Sequence, residues 1–273
     1  MNELNHSNHS KRIATNTLVL FARMLIITIV NLYTVRWVLK GLGTEDYGIY
    51  NAVAGVVTTG TCISSVLAMA TQRFYSYAIG LGEKEKLTRI FSASVNLVIV
   101  FSIITILVLE LVGNWFVSTQ MTIPADRLSA SSWVFQFSIF SFIFTLLQIP
   151  YIGAIFSNED MGVYALVSSV DCFVKLLIAA LICMFGFDHL ILYSGAMMIE
   201  SGLVMVVYML VASRKYIECR YTTKGIDKEL YKELISFSGW TFYGALSGMG
   251  MTQGSIILLN IFFGPLVNAA FCI

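Results

Sequence analysis

The stretch KRIATNTLVLFARMLIITIVNLYTVRWVLKGLGTEDYGIY, Lys11 to Tyr50, decides the fold. It opens on two cations, Lys11 and Arg12, and then runs apolar from Ile13 to Leu39. Roughly 27 residues at about 1.5 Å each reach about 40 Å, enough to cross a hydrocarbon core of about 30 Å with tilt. Gly41 and Gly43 end this first span, and Thr44-Glu45-Asp46 supplies the N-cap and first-turn acids of a second. Near the middle of the first span stands Arg23. A guanidinium at that depth costs at least about 2.5–3.5 kcal/mol unless it faces protein or water. A chain that keeps one there is expected to use it.

The whole chain agrees with that opening. Of 273 residues, 57% are hydrophobic and 12% charged, and mean hydropathy is +0.78. Soluble domains carry about 25% charged residues, so the chain reads as an all-α, polytopic membrane protein. A net charge of +1 gives no electrostatic footprint for nucleic acid. The five cysteines form no C-x-x-C pair and read as small packing residues. His6 and His9 lie in a polar tail without further ligand-type neighbours, so no metal site is expected. No nucleophile–base pair and no phosphate-cradling loop stands out; neither an enzyme nor a cofactor is expected. The first apolar run is too long for a signal-peptide core and lacks a small-residue cleavage site, so it reads as a retained helix.

Six further spans follow: about Tyr47–Tyr75, Arg89–Val112, Leu128–Ile149 with Pro150 at its end, Met161–Phe185, Leu190–Ala212 and Leu234–Phe263. The expected organisation is a cytoplasmic tail over 1–12, a six-helix transmembrane lobe over 13–212, a cytoplasmic linker over 213–233, and the first helix of a second lobe over 234–273. With the N-terminus inside, the cytoplasmic segments hold Lys11, Arg12, Arg73, Lys84, Lys86, Arg89, Arg214, Lys215, Arg220, Lys224, Lys228 and Lys232. The outer side holds only Arg36, Lys40 and Arg127. This bias sets the N-terminus in the cytoplasm. A repeat is visible as well: Gly43-x4-Gly48-x-Tyr50 after the first span and Gly264-x4-Ala269-x-Phe271 after the seventh. Six spans separate the copies, so they share one orientation, and a second lobe is expected to continue from the second copy.

Several of these segments carry a family likeness. Asn16 to Arg23, Asn31 to Arg36, Leu42 to Tyr50, Gln72-Arg73-Phe74 and Gly264-Pro-Leu-Val-Asn268 together resemble the N-terminal half of polysaccharide biosynthesis proteins. These are the Wzx-type O-antigen flippases of the MOP superfamily, which also holds the MATE drug exporters. The resemblance implies two helical lobes around a cavity that opens alternately to either side. It implies as cargo an undecaprenyl-diphosphate-linked oligosaccharide, as location the bacterial inner membrane with its lipids, and as partners polysaccharide polymerases and glycosyltransferases.

Four ionisable groups fall within spans: Arg23, Asp171, Lys175 and Glu200. Asp171 and Lys175 stand four apart and can pair on one helix face, which leaves Glu200 for Arg23. They are either a self-neutralising structural set or the lining of a wet pathway. On the flippase reading, Arg23 and Lys175 hold the diphosphate, and Asp171 and Glu200 hold a coupling proton or cation. Arg36 either snorkels or rims the cavity, and Arg73 either rims the cytoplasmic mouth or anchors that end. Gln136, Gln148 and Gln253 are candidates for sugar hydroxyls. Two other readings stand beside this one: a cation-coupled multidrug exporter of the same superfamily, and a non-transporting assembly partner of polysaccharide enzymes.

Overall fold

Gly43 turns the chain back on itself. It adopts φ 80°, ψ 171° inside the helical run α1 (Asn2–Thr58) and divides that run into two legs. A side chain is disfavoured in this backbone region; nothing lies within 4 Å of where a Cβ would stand, so conformation rather than crowding calls for glycine. The reversal is visible in the contacts. Asn16 donates to the Glu159 carbonyl (3.1 Å) and Ser76 to Ser157 Oγ (3.5 Å). Residues 16 and 76 therefore lie at the same end of the molecule, with Gly43 at the other.

The computed structural model describes residues 2–58, 60–113, 115, 123–184, 188–222 and 228–248. All regular structure in them is helical. After α1 come α2 (Thr61–Leu81), α3 (Lys84–Val108) with a π turn over Leu109–Gly113, and a 3-10 turn over Ala125–Arg127. There follow α4 (Leu128–Leu147), α5 (Ile149–Ser157), α6 (Met161–Leu181), α7 (His189–Lys215) and a helix over 228–248, here α8. Among the described residues, five segments are long and apolar enough to cross a membrane: Ala14–Val57, Glu85–Gly113, Leu128–Ser157, Met161–Leu181 and His189–Lys215. The first of them contains the Gly43 reversal and so runs out and starts back. The chain is a multi-pass membrane protein.

Two boundaries differ from the sequence expectation. Pro150 was expected at the end of the fourth span, yet helix continues to Ser157. Pro150 sits in the first turn of α5, where its missing N–H is not needed, so it does not end the span. The chain is already helical at 228, six residues before the expected start of the seventh span, because Leu230, Leu234 and Ser238 at helical spacing bury one face against the bundle. Residues 249–273, including Gln253 and the second copy of the repeat, lie outside the described residues.

The two ends are tied differently. At the far end one guanidinium, Arg127, bridges Asp46 (3.0 Å) and Asp188 (2.8 Å), joining the α1 reversal, the start of α4 and the N-cap of α7. At the basic end Asp160 pairs with Lys215 (3.0 Å) and accepts from Tyr216, while Asn158 donates to Glu218 (3.2 Å). Burial first, and then the hydrogen bond to Asp160, push the Tyr216 phenol up from its ordinary range. Burial likewise lifts the neighbouring Cys219 thiol to about 12. Cys172 and Cys219 are free and buried, as packing residues should be.

Between these ends the apolar interior falls into two clusters. One, toward the far end, gathers Val38, Val53, Ile139, Leu146, Leu190 and Tyr193. The other, toward the basic end, gathers Tyr75, Phe91, Ile155, Val167, Tyr208 and Ala212. On α6 and α7 the clusters stop short of each other, and Asp171, Lys175 and Glu200 occupy the seam.

Candidate functional site

α1 and α6 run parallel in register. Asn16 meets Glu159, Arg23 meets Tyr164 and Ser168, and Cys172 lies 3.5 Å from Asn31, an offset that stays between 141 and 145 residues. Parallel contact between a first and a fifth span is what the alternating topology requires. It also fixes the depth of Arg23. Tyr164 and Ser168 lie within about 10 Å of the start of α6 at 1.5 Å per residue, whereas Asp171 and Lys175 lie about 15–21 Å along it. Arg23 is therefore in the third of the bundle nearer the basic end, a correction to its expected place at mid-span.

The surroundings of Arg23 are neutral. Nε donates to Ser168 Oγ (2.5 Å) and Nη2 to the Tyr164 hydroxyl (3.2 Å), with the guanidinium 4.4 Å from the Tyr164 ring centroid. Ser168 donates its own proton to the Tyr164 carbonyl (2.7 Å) and so offers Arg23 a lone pair. An aromatic face and two hydroxyls orient the guanidinium without neutralising it. Among the described residues no carboxylate lies within ion-pair distance of Arg23.

Glu200, the expected partner, is elsewhere. Lys175 Nζ sits 2.8 Å from Asp171 Oδ1 and 3.8 Å from Glu200 Oε2. The i, i+4 pair forms as its spacing implied, but the second carboxylate joins that pair and leaves Arg23 alone. Depth explains the correction: Glu200 lies about 16 Å from the start of α7 at the far end, level with Lys175. Glu200 is 2% exposed, and neither carboxylate oxygen has a hydrogen-bond partner.

Lys175 also forms part of the wall of a cavity of about 220 Å³ that opens among α1, α2, α4, α6 and α7. Hydroxyls dominate its polar lining: Tyr50, Thr61, Ser138, Ser141, Thr145, Ser194 and Ser201. Thr145, Ser194 and Ser201 donate their protons to carbonyls of the preceding turn in their own helices, so their free lone pairs are acceptors. Sequence reasoning did not single out these hydroxyls or Tyr164 and Ser168. The signal was present as Ser/Thr recurring three, four or seven residues apart within apolar helices.

The remaining candidates are dispersed. Arg36 is exposed on α1 toward the far end. Arg73 lies 4.2 Å above the Phe237 ring on α8 and lines an open groove with Glu229, Lys232 and Trp240. Gln136 donates to Glu110 (3.2 Å) at the π turn. Gln148 Oε1 is buried without a hydrogen-bond partner.

Solved structures share this fold. Over 96% of this chain, a MATE protein in complex with MaD3S superposes with TM-score 0.76, and a MATE protein in complex with MaD5 with TM-score 0.71, each at 18% identity. A MOP superfamily transporter from Pyrococcus furiosus, described by a reverse polarity of its binding pocket that suggests a different function, superposes with TM-score 0.74 at 18% identity over the same share. The chain spans 58–59% of the length of these proteins. No family model matches it, and no curated protein matches its sequence.

Proposed function

We propose that the chain is a lobe of a transporter that moves an amphiphile with an anionic head across the membrane, its polyprenyl-diphosphate-linked oligosaccharide cargo being recognised through Arg23. The observation that carries this reading is the guanidinium itself: half-buried against α6, held by Tyr164 and Ser168, and without a carboxylate in ion-pair distance among the described residues. A cation so placed is stabilised by an anion that arrives, and a diphosphate offers the oxygens a planar guanidinium grips best. The level of Arg23, near the basic end, suits loading from the cytoplasmic leaflet. The neighbours' transporter fold supports movement across a membrane rather than covalent chemistry.

The test is a flipping assay in proteoliposomes with a labelled polyprenyl-diphosphate oligosaccharide. Arg23→Ala is expected to lower transport about 10- to 100-fold, the loss of one charge-assisted hydrogen-bonded contact of about 1.5–3 kcal/mol. Undiminished flipping removes Arg23 from recognition. A multidrug exporter is the second reading, favoured by the two acidic groups at the seam; drug resistance abolished by Asp171→Asn and indifferent to Arg23→Ala would establish it instead.

A further inference from the structure

The seam between the two apolar clusters has the makings of a cation site, and a side chain already fills it. Asp171 and Glu200 both lie within ion-pair distance of the Lys175 ammonium, at 2.8 Å and 3.8 Å. Glu200 is 2% exposed, and its two oxygens have no hydrogen-bond partner. The adjoining cavity, which Lys175 lines, is also lined by Ser201, Ser141 and Thr145, and Thr145 and Ser201 spend their protons on backbone carbonyls. Two carboxylates and hydroxyl lone pairs are hard oxygen donors, the set that suits a hard metal cation.

We propose that Lys175 is the resident cation of this lobe: its ammonium stands between Asp171 and Glu200 where a monovalent metal ion would otherwise bind, and so excludes Na⁺. The charge balance explains why something must stand there. Two carboxylates within a membrane-embedded bundle are costly unless paired. Lys175 supplies the positive charge that the two acidic groups share, and without it the acidic pair is left without that cation. A shorter or neutral side chain at 175 leaves a space bounded by oxygen and continuous with the cavity, open to a small cation. The inference concerns the ion and holds for either cargo, so it is separable from the role of Arg23.

Thermal unfolding of the purified full chain in NaCl against choline chloride at equal ionic strength reads the proposal directly. Wild type is expected to unfold at the same temperature in both salts. Lys175→Ala is expected to gain a saturable, Na⁺-specific rise of about 3 °C or more at tenfold-saturating Na⁺, and Lys175→Ala with Glu200→Gln to lose that rise. Lys175→Met, which keeps most of the side-chain volume, is the companion variant should the alanine form fail to fold. A Na⁺-specific rise in wild type overturns the proposal. So does the absence of any Na⁺ effect in both Lys175 variants, or a rise that survives Glu200→Gln. If neither variant is recovered in choline, recovery in NaCl alone supports it. If neither is recovered in either salt, wild type decides, its indifference to Na⁺ supporting the proposal.

Discussion

Among single residues, the sequence made the charges visible and left their partners to the geometry. Arg23 stood out because a lone guanidinium in an apolar run is costly, and the Asp171–Lys175 pair because four residues make one helical turn. The assignment of Glu200 failed because it needed the relative depth of three helices, which no local spacing encodes. Tyr216 and Cys219 give the clearest behaviour with pH, since both lie beyond the end of α7. Thiolate is the species that reacts with maleimide, and Cys219 is held to about 12 by burial and then by Glu218. Labelling of Cys219 at pH 8 is therefore expected to be slow in the folded protein and rapid once it is denatured, as mass spectrometry of the alkylated peptide would report. For Tyr216 the raised folded-state value means that the neutral phenol favours folding. Its contribution is complete below the ordinary phenol value of about 10 and is lost as pH climbs past it. A melting temperature that Tyr216→Phe lowers equally at pH 7 and at high alkalinity would contradict this.

At the level of helices, glycine and proline were the most informative letters, and also the source of one error. Gly43 marked the reversal correctly because a positive φ leaves few alternatives. Pro150 suggested a stop, but a proline in the first turn of a helix is compatible with continuation, and α5 runs on past it. α5 in turn depends on a close approach: a Cβ on Gly153 would come within 2.8 Å of Thr71 Cγ2 on α2. Gly153→Val is expected to cost about 1–3 kcal/mol through overpacking, and pairing it with Thr71→Ser, which removes that methyl, should restore part of the loss. Additive losses in the double variant, measured by thermal unfolding, would show that the two positions do not press on each other. The early start of α8 escaped the hydropathy reading because its first turns carry Lys228, Glu229, Lys232 and Glu233. Its buried positions, Leu230, Leu234 and Ser238, recur every four residues there, so a buried face sits within a polar composition.

For the molecule as a whole, the count of apolar runs and the bias of the cations anticipated an antiparallel bundle, and the superpositions bear out its class. What they could not convey is how the bundle is fastened. Arg127, Asp46 and Asp188 each sit at a span end on the same side, so the topology already placed them near one another, but only coordinates show a single guanidinium joining three helices. Arg127→Ala is expected to destabilise the bundle by about 2 kcal/mol, since Asp46 is left largely buried without its partner. Arg127→Lys should recover only part of this, because a point charge cannot fork to two carboxylates. Equal stability of all three forms in a thermal melt would remove the bridge from the account. With Arg127 closing one extremity and Asp160 the other, the helices between them are stapled top and bottom. A load placed on one of these helices is therefore shared by its neighbours at both extremities.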